Sequence, residues 1–117
     1  MTKTSYTTGL LAERLCRIAL RLKFYRILAE RYKTPMGEID IVAARGNTVI
    51  AIEVKARSDK ETALASISPT QQQRIAQALL SFTHRNPRYA KANLRFDVMV
   101  VTPHKWPLHL KNAWRAE

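Results

Sequence analysis

Apolar positions recur along this chain with two different periods, and their succession lays out a fold. Over residues 7–23, Leu11, Leu15, Ile18 and Leu22 fall at helical spacing and predict a helix with one apolar stripe. Arg14, Arg17 and Arg21 lie on another side of that helix at the same spacing. Residues 25–32 mix apolar and polar positions and suit a first strand, followed by a turn at Pro35-Met36-Gly37. Residues 38–45 and 48–57 are rich in Ile and Val and read as strands, with Gly46-Asn47 as a two-residue hairpin signal between them. Residues 58–67 read as a loop. Ser68-Pro69-Thr70-Gln71 then has the form of a helix start: Ser68 caps, Pro69 takes the first turn and Gln71 completes a capping box. Ile75, Leu79 and Phe82 make the apolar face of that helix, which should stop before Asn86-Pro87. Residues 94–102 predict another strand and residues 108–113 a weaker last one. The order αβββαββ describes an α/β sandwich.

The hairpin carries the most informative geometry. With Gly46-Asn47 as the turn, Arg45 faces Thr48 and Ala44 faces Val49; counted outward, Asp40 meets Glu53 and Glu38 meets Lys55. Side chains two apart on a strand share a face, so these four point one way and Ile39, Ile41, Ile52 and Val54 point the other, toward the expected core. Two carboxylates directly across a strand pair repel each other. A divalent cation between them would resolve that conflict, since hard ions take oxygen ligands and keep waters. Lys55 would then place a positive charge beside the metal. A solvated sheet face on which Glu53 pairs with Lys55, and Asp40 with a basic neighbour, explains the same residues without function. A bulged turn would shift the register by one and part Asp40 from Glu53.

Composition narrows the partners. The chain has 117 residues, 20 Lys+Arg against 9 Asp+Glu, a formal charge of +11 and 46% apolar residues. That length fits one domain over 1–117, and the apolar fraction is that of a folded core. The basic residues are spread through the sequence rather than held in a tail, which favours a charged surface on a folded domain. A single cysteine, Cys16, excludes an intramolecular disulfide and a cysteine zinc site, and reads as a small core residue. No apolar run reaches the roughly 20 residues of a membrane span, and no signal peptide is evident, so no membrane and a cytoplasmic location are expected. So many cations point first to a polyanion, with nucleic acid ahead of membrane. His84, His104 and His109 form no spaced metal pair.

Asp40 followed by Glu53-Val54-Lys55 resembles the D…(D/E)-x-K signature of the PD-(D/E)xK nuclease superfamily. Gly9-Leu10-Leu11-Ala12-Glu13, Gly37-Glu38-Ile39-Asp40-Ile41-Val42-Ala43, Glu53-Val54-Lys55-Ala56-Arg57 and Arg95-Phe96-Asp97-Val98 together resemble the YraN family over nearly the whole chain. Those are uncharacterised bacterial proteins with an endonuclease-like fold akin to Holliday-junction resolvases. The resemblance implies a restriction-endonuclease-like sandwich, a mixed central sheet flanked by helices. It implies Asp40 and Glu53 as metal ligands for Mg²⁺ or Mn²⁺, with the Val54 carbonyl as a further ligand. It implies Lys55 as the catalytic lysine and Glu13 as an extra acid near the metal. Glu13 also sits four residues before Arg17, so a helix salt bridge accounts for it equally well.

The chain departs from the family pattern in two places. Ala12 stands where Gly is usual before the first-helix Glu, and Gln71-Gln72 stands where many members have Lys-Gln. The capping role explains Gln71; it and Glu38 remain accessory positions. Asp97 is marked by the resemblance, and a structural hydrogen-bonding role fits it as well as catalysis. Trp114 reads as core, whereas Trp106 is left between core and base stacking. Arg14, Arg17, Arg21, Arg57 and Arg74 form the set expected to track phosphates.

The leading expectation is a metal-dependent endonuclease acting on DNA, with branched or structured DNA as the implied substrate class. Resolvase-like relatives often act as dimers because a symmetric junction suits two sites, so a homodimer is one expected assembly. A non-catalytic nucleic-acid-binding module on the same fold, and an interaction domain for an acidic protein partner, are the alternatives.

Overall fold

One mixed five-stranded sheet organises the computed structural model, which describes residues 2–115 and the side chains of residues 9–115. The chain order is α1 (Thr2–Leu22), β1 (Arg26–Lys33), β2 (Glu38–Arg45), β3 (Thr48–Ala56), α2 (Lys60–Ala65), α3 (Pro69–His84), a short 3-10 turn (Pro87–Tyr89), β4 (Asn93–Val101) and β5 (Leu108–Trp114). Strands β1, β2 and β3 form an antiparallel meander. β4 lies parallel to β3 and β5 antiparallel to β4, so the spatial order follows the sequence order. A parallel neighbour requires a crossover, and α2 with α3 supplies it.

The element order expected from the sequence lacks one member. Residues 58–67, read there as a loop, contain α2. Asp59 caps it by accepting the Thr62 N–H at 2.7 Å. Six residues are too short for a helical apolar period to declare itself. The start of α3 is as expected: Ser68 accepts the Gln71 N–H at 3.1 Å and Pro69 opens the first turn. Ile75, Leu79 and Phe82 are buried from this helix.

Both faces of the sheet are covered. One core layer gathers Val42, Ala44, Val49 and Ala51 with Ile75, Leu79 and Phe82 of α3. The other gathers Ile41, Ala43, Ile50 and Ile52 with Cys16, Ala19 and Leu20 of α1. The face of α1 turned to the sheet is therefore Ala12, Cys16, Ala19 and Leu20, all nearly inaccessible. The stripe of Leu11, Leu15, Ile18 and Leu22 faces outward instead, with Leu15 38% and Leu22 66% exposed. Helical spacing identified a stripe but not its direction. Small residues let the helix approach the sheet closely, and a hydrophobicity pattern underweights them.

A two-residue turn sets the hairpin register as counted: Arg45 faces Thr48 and Ala44 faces Val49. The expected single core face does not hold near the site. Ile41, Ile52 and Val54 pack in the α1 layer, but Ile39 packs in the α3 layer. Strict alternation would put Ile39 beside Ile41. The break sits opposite Arg31, which has φ 49° between the paired positions Glu30–Ile41 and Tyr32–Ile39. Glu30 and Arg31 both reach toward α1, and Tyr32 then turns to the other side to meet Phe82 edge-on at 5.2 Å.

Candidate metal centre

The β2–β3 ladder runs from Arg45–Thr48 to Ile41–Ile52 and stops there. Its next step would pair Asp40 with Glu53. At that point side chains take over from the backbone ladder. Asp40 Oδ2 accepts the Val54 N–H at 2.8 Å, and the Asp40 main chain lies close enough to Glu53 to oppose the rise of its carboxyl. This side-chain clasp ties Asp40 to the residue after Glu53 where the ladder ends.

Glu53 is 6% exposed, and its Oε1 has no hydrogen-bond partner among the described residues. Burial, and then the charge on Asp40, push its carboxyl up to about 8, against the opposing pull of Lys55 and the Asp40 main chain. Asp40 is raised too, mainly by burial, with Glu13 and Glu38 adding to the repulsion; the Val54 hydrogen bond and Lys55 oppose this. Asp40, Glu53, Lys55, Glu38 and Glu13 thus share one electrostatic neighbourhood. Burying a bare carboxylate oxygen is costly unless something satisfies it. A hard divalent cation is a chemically suitable partner for such an oxygen. Among the described residues no three His, Cys, Asp or Glu side chains converge as a metal-ligand group, so a cation here would rest on two carboxylates, main chain and water.

Glu13 stands near this centre but is engaged. Arg31 Nε donates to its Oε1 at 3.1 Å. The helix pair expected between Glu13 and Arg17 is replaced by two helix-to-strand pairs, because Arg17 turns to Glu30 at 3.4 Å. Glu38, whose charge reaches Asp40 and Glu53, also lines a cleft with Gln71, Gly37 and Arg74. There a Cβ on Gly37 would lie 2.6 Å from the Arg74 carbonyl oxygen, so the start of β2 can lie against α3 only with glycine at this position. The five arginines expected to track phosphates are dispersed. Arg14, Arg17 and Arg21 lie on α1, Arg57 just past β3 and Arg74 on α3. Arg57 lines a groove with Leu11, Leu15 and Trp106. Trp106 is 59% exposed, while Trp114 stacks on Phe96 with centroids 4.3 Å apart.

A second polar cluster is built around Asp97, in the structural hydrogen-bonding role that was one of its two readings; its other members escaped the reading of the sequence. On the α1 side of β4, Asp97 accepts from Arg95 Nε at 2.9 Å and from Arg95 Nη2 at 2.8 Å. Its Oδ2 lies 2.7 Å from His109 Nε2, and its Oδ1 accepts the Asn112 N–H at 2.9 Å. Lys23 Nζ lies 2.7 Å from His109 Nδ1. A lysine ammonium has only donors, so His109 accepts at Nδ1 and donates from Nε2 to Asp97. The signal in the sequence was Arg95 two residues before Asp97 on one strand face; Lys23 and His109 are too distant along the chain to be linked by spacing.

A model of the uncharacterised protein family UPF0102 matches residues 12–101. A UPF0102 protein of Parvibaculum lavamentivorans is 46% identical over 111 residues, covering 95% of this chain and 84% of the relative. Another, from a Chelativorans species, is 46% identical over 112 residues, covering 96% of this chain and 90% of the relative. A third, from Bradyrhizobium diazoefficiens, is 44% identical over 112 residues, covering 96% and 84%. The matched span runs from the buried Ala12 beside Glu13 to the end of β4 and encloses the clasped acids and Asp97; the chain belongs to the UPF0102, or YraN, family.

Proposed function

We propose that this chain is a Mg²⁺- or Mn²⁺-dependent phosphodiester hydrolase acting on DNA, with the mixed sheet and its helices forming a restriction-endonuclease-like sandwich. The observation that carries the reading is the buried, unpartnered Oε1 of Glu53 beside Asp40, at the step where β2 and β3 part. Asp40 and Glu53 would hold the ion, with the Val54 carbonyl as a further ligand. The bound ion would supply Lewis acidity and a more acidic water. Lys55 contributes a positive charge close enough to oppose the rise of both carboxyls, which suits it to stabilise charge building on a phosphate. Arg57, just past the end of β3, would hold the backbone of the same strand of DNA. Glu13, tied to Arg31, serves as an electrostatic neighbour that keeps Arg31 against α1.

Calorimetric titration with Mn²⁺ tests the site. The wild type should bind the ion, and the Asp40→Asn/Glu53→Gln double variant should lose binding by at least about tenfold. Equal affinity removes the metal centre. Incubation with Mg²⁺ or Mn²⁺ and labelled duplex, single-stranded and four-way-junction DNA tests the chemistry. Cleavage should appear with the wild type and fall at least about a hundredfold in Lys55→Ala. Metal binding without cleavage of any of the three would leave a non-catalytic nucleic-acid-binding module, a reading favoured by the lack of a third acidic ligand among the described residues.

A further inference from the structure

The outward stripe of α1 has a spacing of its own. Leu11, Leu15, Ile18 and Leu22 follow steps of four, three and four, the seam of a coiled coil rather than scattered surface leucines. Beside the seam runs a groove of about 650 Å³, bounded by Leu11 and Leu15 on one wall and by Pro103 and Trp106 on the other, over a floor of Ala56 and Val101. An apolar seam next to a concave apolar groove is the shape that receives a helix. Trp106, 59% exposed on the far wall, is the residue type that most often anchors such a contact.

The charges around the groove choose the occupant. Arg57, His104 and Lys105 also line it. Arg14 and Arg21, both exposed, precede Leu15 and Leu22 by one position and flank the seam on the outer side. A second copy of α1 laid along the seam would bring these arginines against their own equivalents. A lipid surface is flat and would leave the concave side of Trp106 unfilled. Nucleic acid would satisfy the cations but not four exposed aliphatic side chains.

We propose that this face docks an amphipathic helix of another protein, with an aliphatic seam and Glu or Asp along both flanks. Its leucines lie against Leu11, Leu15 and Ile18 and fill the groove beside Trp106. Its acids meet Arg14 and Arg21 on one side and Arg57 and Lys105 on the other.

The probe is a labelled synthetic helical peptide with leucines at coiled-coil spacing and glutamates on both flanks. Its companion carries lysines on the flanks. In a Trp114→Phe background, the glutamate peptide should blue-shift Trp106 emission and bind at least about tenfold more tightly than the lysine peptide. Ile18→Ser should weaken binding about tenfold, and Trp106→Ala, read by anisotropy of the labelled peptide, should do the same. Both positions are exposed, and circular dichroism checks that the fold is intact. Equal affinity for the two peptides overturns the proposal. So does a concentration-dependent dimer that Ile18→Ser abolishes. Anionic phosphatidylglycerol vesicles or single-stranded DNA that shift Trp106 while the glutamate peptide does not also overturn it.

Discussion

Two buried acids on neighbouring strands of one sheet have opposite fates. Asp97 on β4 is 1% exposed, and Glu53 on β3 is 6% exposed. Burial alone would raise both. At Asp97 it is overcome by His109, Arg95 and the Asn112 N–H, and the carboxyl ends below its ordinary value. At Glu53 burial is reinforced by Asp40, one oxygen goes unpartnered, and the carboxyl rises to about 8. The difference is the census of donors, not depth. Asp97 is a finished structural ion site whose partners all come from the chain. Glu53 lacks such a set of donors among the described residues, and an unsatisfied buried acceptor is where a ligand from outside has the most to offer.

The contrast is broken most sharply at Asp97. Asp97→Ala removes the carboxylate from Arg95, which keeps the Tyr25 hydroxyl, and leaves the Asn112 N–H unpaired, and should cost about 3–5 kcal/mol in urea unfolding. A loss below about 1 kcal/mol would mean that the cluster is ornamental. The pH response of the metal-free protein comes next. Glu53 and Asp40 hold protons more tightly folded than unfolded. Their contribution to stability is therefore full below the ordinary carboxylate range and is lost as pH rises toward about 8. The melting temperature should fall between pH 5 and pH 8, and Glu53→Gln should flatten most of that fall. Mn²⁺ at pH 8 should restore stability to the wild type and not to Glu53→Gln. A melting temperature that climbs steadily over this range would contradict the assignment. Lys55→Met gives the smallest effect. Without that cation both carboxyls should titrate still higher, at a stability change within about 1 kcal/mol, measurable as an upward shift in the carboxyl titration by NMR.

How much of this was legible in the sequence differs by element. Gly46-Asn47 fixed the hairpin register because a two-residue turn leaves no slack. From that register the meeting of Asp40 and Glu53 could be counted. The clasp that replaces the ladder could not, because it depends on strands parting at the point where Arg31 takes a positive φ. The orientation of α1 was hidden for a chemical reason: Ala12, Cys16 and Ala19 make the contact with the sheet, while the larger leucines and Ile18 advertise a face that lies outside. A structural role for Asp97 could be read, but its partners could not, because Lys23 lies in the turn after α1, Arg95 on β4 and His109 on β5, and only the finished sheet assembles them.

The parallel pairing of β3 with β4 also sets an order of events as the chain folds. Strands β1 to β3 close through short turns, so their contacts are local and are expected to form first. Strand β4 must wait for α2 and α3 to be made, and until then β3 presents a bare Val- and Ile-rich edge. The acidic clasp is thus expected to exist on the nascent meander before the Asp97 cluster can. On a ribosome, that interval is when this protein is most exposed to aggregation, and slow synthesis through residues 57–92 would lengthen it.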